Sequence, residues 1–121
     1  MDAIEFLDSA EKIIQNNKEV DYRNAVSRAY YCAYHKTASF VEPLNLERSF
    51  GATHEKLVGI LQNHTNKKLK TIGNKLNALR EFRVDADYKL NKPFSFQDAQ
   101  SALKRTKALL QDIDSFTNAE N

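Results

Sequence analysis

Arg28 and His35 stand seven residues apart in the stretch DYRNAVSRAYYCAYHK, residues 21–36. If that stretch is helical, seven residues make two turns, so both side chains leave one face about 10.5 Å apart along the axis. An arginine and a histidine sharing a face suit cleavage of RNA without a metal ion. The imidazole moves a proton near neutral pH, and the guanidinium holds the phosphate as charge builds on it. The plainer reading is a core or surface histidine, because the two types meet at this spacing often by chance.

A second arginine is out of place in another way. Leu69, Ile72, Leu76 and Leu79 recur at 3-4-3 spacing, and the same alternation next reaches Arg83 and Ala86. A guanidinium where the pattern asks for an apolar side chain is costly unless it is paired or lines a cavity. Asp87 lies one turn on, with Asp85 and Tyr88 close by, so Arg83 either joins a buried polar network or presents a cation to a phosphate. Lys67, Lys68, Lys70 and Lys75, followed by Arg80, make the same segment basic, which reads as an RNA footprint or as a solvated helix face. The tyrosines at 22, 30, 31 and 34 could stack bases, or pack a core or a dimer interface.

Other chemistries are excluded on residue types. Three glycines leave no phosphate-cradling loop, and no serine or threonine sits in a nucleophile elbow. His54 and His64 are ten residues apart without a carboxylate or imidazole at ligand spacing, and Cys32 is the lone cysteine, so neither a metal nor a cofactor is expected.

The elements that must position these residues are helices. The chain has 121 residues, 41% apolar and 28% charged, with three Gly and two Pro, too few turn-formers for a sheet protein. Five helical segments are expected within a single domain. The first covers about residues 2–17, with Ile4, Leu7, Ala10, Ile13 and Ile14 on one face and a stop at Asn16-Asn17. The second runs from an N-cap at Asp21 to about Val41, where Pro43 disfavours helical geometry at Glu42, and its small residues Ala25, Ala29 and Ala33 mark it as central. After a loop over 43–52, Thr53 caps a short third helix ending near Asn63. The fourth covers 66–88. The fifth opens with Ser95-Phe96-Gln97-Asp98, close to a capping box, and runs to about Phe116 before a frayed tail. A net charge of +2 confines any nucleic-acid contact to a local patch. No apolar run of about 18 residues could span a membrane, the acidic start is unlike a signal peptide, and one cysteine fits a reducing, cytoplasmic setting.

Three segments, in order, resemble a known family. Ala25-Val26-Ser27-Arg28-Ala29-Tyr30-Tyr31-Cys32-Ala33-Tyr34-His35 is similar to the second-helix signature of HEPN-domain proteins. Thr53-His54-Glu55-Lys56-Leu57-Val58 resembles the His-led start of their third helix. Leu79-Arg80-Glu81-Phe82-Arg83-Val84-Asp85-Ala86-Asp87-Tyr88 resembles their Arg-x-x-Ala-Asp-Tyr segment. The resemblance implies an all-α, five-helix up-and-down bundle acting as a homodimer. It implies a metal-independent endoribonuclease, a toxin or defence effector that cuts RNA through an Arg-x(4–6)-His motif and is often paired with a nucleotidyltransferase antitoxin. Arg28-x6-His35 meets that motif, whereas Arg83-x4-Tyr88 has tyrosine in place of histidine. The resemblance therefore assigns Arg28, His35, Arg83 and Tyr88 to catalysis, while the basic stretch puts Lys67, Lys68, Lys70 and Arg80 in RNA or nucleotide binding and the surroundings of Arg83 put Asp85 and Asp87 in a structural polar network. It also admits a different function, a non-catalytic module binding a nucleotide, RNA or a partner protein, and makes the Tyr88 hydroxyl a conceivable acceptor of a nucleotide.

Overall fold

The computed structural model describes residues 1–46 and 54–120. Helix α1 spans Ile4–Ile13, α2 Glu19–Val41, α3 His54–Gln62, α4 Lys67–Tyr88 and α5 Phe96–Glu120, and the described residues contain no strand. The chain is the all-α five-helix bundle that its spacing and caps imply. None of its helices is long and apolar enough to cross a membrane, among the described residues.

Local chemistry sets most of the ends. The first helix tightens into a 3-10 turn over Ile14–Asn16 and stops at Asn17, which takes the left-handed conformation (φ 57°) that asparagine tolerates. The second begins two residues before Asp21. Glu19 and Asp21 both occupy its first turn, where carboxylates favour the positive end of the helix dipole. Glu42 stays helical despite Pro43, because the chain continues as a 3-10 turn over Glu42–Leu44 with proline inside its first positions. Thr53, the expected cap of α3, lies outside the described residues. The Asn66 side chain caps α4 by accepting from Lys68 N at 2.9 Å and Leu69 N at 3.2 Å. A reciprocal capping box opens α5: Asp98 N donates to Ser95 Oγ, and Ser95 N to Asp98 Oδ2. The helix then runs on through Glu120, although Phe116 is its last buried apolar side chain.

The central element is α2, which packs on α1, α4 and α5. Ala25, Ala29 and Ala33 are fully buried, and their small size lets α5 come close enough for Thr106 Oγ1 to lie 3.4 Å from the Ala29 carbonyl. One core cluster joins Leu7, Ala10 and Ile14 of α1 to Ala25, Val26 and Ala29 of α2 and to Ala99, Ala102 and Leu103 of α5. The other gathers Tyr30 and Val41 with Leu57 and Leu61 of α3, the Leu69-Ile72-Leu76-Leu79 stripe of α4, and Leu109 and Ile113 of α5.

Two residues that the spacing did not single out hold this frame. Arg23 is buried and reaches from α2 to the end of α4, where it donates to the carbonyls of Ala86 (2.9 Å), Lys89 (3.2 Å) and Lys92. It thereby satisfies acceptors that the helix end leaves open. Gly73 lets α3 and α4 touch through their backbones, since a Cβ there would stand 2.7 Å from Leu61 Cβ and 2.9 Å from Gln62 N.

Candidate functional site

The face of α2 that carries Ser27, Tyr30, Tyr31 and Tyr34 at i, i+3, i+4 and i+7 meets α4 and the start of α3. Arg83 arrives from α4, and its Nη2 donates to the Tyr31 hydroxyl at 3.1 Å. Its guanidinium carbon lies 5.5 Å from the Tyr31 ring centre and 5.8 Å from that of Tyr30, within cation–π range. Nε stands 2.9 Å from Asp87 Oδ2, one turn along the helix. That N–H is not aimed at the carboxylate, so charge attraction rather than a formed hydrogen bond links the two, and the buried Nε proton has no acceptor among the described residues. The other oxygen of Asp87 accepts the Ser27 hydroxyl. Arg83 is therefore half-buried, 20% exposed, and only partly satisfied.

His54, the first residue of α3, fills the space beside it. Its Nδ1 is 2.5 Å from the Tyr30 hydroxyl, and its ring stacks on Tyr34 at 3.7 Å between centres. Burial comes first among the causes that hold its pKa below the usual histidine value, followed by the Arg83 and Arg80 cations and His35. Burial also pushes the Tyr30 phenol up to about 12, against the pull of Arg80 and Arg83. A phenol that keeps its proton donates to Nδ1, so the neutral ring carries its own proton on Nε2. Arg80 closes this side, paired with Glu55 at 2.9 Å.

His35 lies at the outer end of the same ring strip. It is exposed, stacks on Phe6 of α1 with planes 9° apart, and meets Tyr34 edge-on at 5.2 Å. Its nitrogens make no hydrogen bond among the described residues. Phe6, His35, Tyr34, His54, Tyr30 and Tyr31 thus form a continuous strip of rings with Arg83 and Arg80 along one edge. Flat, partly exposed rings beside cations can stack bases and hold phosphates.

The residues singled out by spacing do not all gather here. Arg83, Asp87, Arg80 and His35 do. Arg28 turns to the α1–α2 seam, where its Nη1 donates to Ser9 Oγ at 2.5 Å. Asp85 pairs with Lys89 and Lys92 at the end of α4 and takes no part in the Arg83 network. Tyr88 follows Asp87 but is 71% exposed. Lys67, Lys68 and Lys70 belong to the opposite end of α4, about 20–24 Å from Arg83 at 1.5 Å per residue. His54 was the residue that spacing missed as a site group, because its partners Tyr30 and Tyr34 lie on another helix. The signal available was its place at the head of α3, opposite the tyrosine-rich face of α2.

The comparisons with known proteins agree with this architecture. The model of the HEPN domain matches residues 2–116. No curated protein and no solved structure matched the chain. With nearly its whole length matched, and with the five helices arranged as described, the chain belongs to the HEPN-domain family.

Proposed function

We propose that this HEPN domain is a metal-independent endoribonuclease, a toxin or defence effector, with its site on the ring strip between α1, α2, α3 and α4. The observation that carries the reading is one ring strip that holds Arg83, whose buried Nε proton is unsatisfied, and at its outer end the exposed imidazole of His35, whose nitrogens are open. Arg83 holds the scissile phosphate and offsets its growing charge. His35 moves the proton, taking it from the ribose 2′-hydroxyl or giving it to the leaving 5′-oxygen. The 2′-oxygen-to-phosphorus bond forms as the phosphorus-to-5′-oxygen bond breaks, leaving a cyclic phosphate and a free 5′-hydroxyl. His54 contributes an Nε2 proton donor and a stacking ring, while Asp87 and Tyr31 position Arg83. Arg28 supports α1 against α2 from one turn away.

Under this reading RNA is the substrate, the chain acts as a homodimer in the cytoplasm, and a nucleotidyltransferase antitoxin silences it, all as the family resemblance implies. The exposed Tyr88 hydroxyl is the acceptor such a partner would modify.

A second reading has its own support. The Asp87 and Tyr31 contacts to Arg83, and the tyrosine at position 88, suit a non-catalytic module that binds a nucleotide, RNA or a partner protein. Cleavage of single-stranded RNA in EDTA separates the two. Wild-type protein should cut, His35→Ala should remain folded and lose cutting, and Arg83→Ala should lose it as well. If the wild type leaves RNA intact, the binding module is the correct reading. Equal cutting by wild type and His35→Ala would remove His35 from the mechanism.

A further inference from the structure

The basic start of α4 lies far from the ring strip, yet it is not an isolated patch. The α4–α5 seam carries two adjoining hollows of about 260 and 350 Å³ that share Thr71. Lys67, Lys68 and Asp112 line the first, and Lys75 and Arg105 the second. Four cations therefore border one channel against a single carboxylate among its described lining residues, and that carboxylate, Asp112, is already paired with Lys75. Four cations against one carboxylate leave the seam at +3, more than the net +2 of the whole chain.

The seam is also on the other side of α4 from the ring strip. At about 100° per residue, Thr71, Lys75, Ala78 and Phe82 fall within an arc of about 60°, whereas Arg83 and Asp87 are turned about 120° and 160° from Thr71. Arg105 lines the second hollow, and its guanidinium lies over Phe82, 5.9 Å from the ring centre. From Lys67 to Ala78 the channel runs about 16 Å along the axis. Its floor is Thr71, Ala78 and Ala108, with Phe116 at the first hollow, and the cations on its rims favour an anionic occupant over an apolar one. Small floor residues between rows of long cationic side chains let a polyanion lie close, with its charges facing both rims.

We infer that the α4–α5 seam is a second nucleic-acid surface, which binds the backbone of single-stranded RNA outside the ring strip. This rests on the proposed action on RNA and deepens it: the substrate is a strand long enough to engage both faces of α4, not a short oligonucleotide. The length of the channel corresponds to on the order of four nucleotides, the small end of known single-strand sites.

The test uses fluorescence anisotropy with a labelled 20-nucleotide 2′-O-methyl RNA, whose blocked 2′-oxygen cannot act as the nucleophile. A groove variant, Lys68→Glu with Arg105→Glu, is compared with a control of identical charge change, Lys12→Glu with Lys18→Glu. All four positions are exposed, and circular dichroism checks the fold. The groove variant should bind at least tenfold more weakly than the wild type. Its slope of log K against log salt should fall by about 1.4, two phosphate contacts at about 0.7 each for a single strand. The control should change affinity less than threefold. Equal weakening by both variants, no weakening by either, or wild-type protein that binds polyglutamate but not the RNA would each overturn the inference. Groove-dependent binding by a protein that cuts nothing would uphold it while removing the endoribonuclease reading. Cleavage with no difference between the two variants would do the reverse.

Discussion

Replacing glycine by alanine inside a helix normally stabilises it by about 1 kcal/mol, because alanine loses less backbone freedom on folding. Two such glycines here should respond with opposite sign. Gly59 of α3 has nothing within 4 Å of where a Cβ would stand, so Gly59→Ala should gain most of that amount. At Gly73 the new methyl would meet Leu61 Cβ at 2.7 Å and Gln62 N at 2.9 Å, and the second of these is backbone that no rotamer change can move. Carbon atoms in contact prefer about 3.5–4.0 Å, so α3 must shift by about 1 Å against α4. Overpacking of this kind costs about 1–3 kcal/mol, which offsets the helix gain and leaves Gly73→Ala destabilised by up to about 2 kcal/mol. The two variants should differ by that overpacking cost, about 1–3 kcal/mol, or roughly 5–15 °C in Tm for a domain of this size. Urea denaturation followed by circular dichroism reads the difference directly, provided the m-values agree. Because α3 carries His54, the same shift should loosen the Tyr30 and Tyr34 contacts and reduce RNA cleavage. A Gly73→Ala protein as stable as Gly59→Ala would refute the close helix approach, and with it the placement of His54.

Four further outcomes follow from named contacts. Arg23→Met should cost about 3 kcal/mol, measured by urea denaturation, since it strips charged hydrogen bonds from several carbonyls at the end of α4. His54 is held below its ordinary pKa, so the unfolded chain takes up its proton first. Its contribution to stability is therefore complete above about pH 6.5 and is lost as pH falls from there toward the folded pKa. His54→Gln should flatten the fall in urea midpoint over that window, and an unchanged profile would mean the ring is not buried between Tyr34 and the arginines. Burial pushes the Cys32 thiol up to about 11, so it should resist a thiol reagent in folded protein at pH 8 and react at once in denaturant. If the proposed nucleotidyltransferase partner acts on the chain, mass spectrometry of the two co-expressed should find one nucleotide on Tyr88, and an unmodified Tyr88 would remove that step.

The helices were legible because their determinants are local. The Leu69-Ile72-Leu76-Leu79 stripe, the Ser95-Asp98 box and the Ala25-Ala29-Ala33 face each act within one segment, and all three serve in the structure as their types suggest. Ends were less legible where tertiary contacts compete. Glu19 extends α2 before Asp21 while its Oε1 also accepts from Phe94 N, 75 residues away. No periodicity within α2 could reveal that partner.

The candidate site divides along the same line. Arg83 was visible as a charge in an apolar register, and Asp87 as its i+4 partner, since both lie on α4. The pairing of Arg28 with His35 was correct as helical geometry, two turns on one face. It said nothing about what that face meets. Ser9 of α1 takes the Arg28 guanidinium, whereas the Phe6 ring, one turn earlier, takes His35. The two side chains are thus separated by their partners on α1, not by their own helix. Conversely, Arg83 and His54 share no spacing at all. They come together because Tyr30, Tyr31 and Tyr34 turn one face of α2 toward both α3 and α4. The tyrosines, which looked like core or stacking residues of no fixed role, are what join the Arg83 cation and the neutral His54 imidazole into a single site.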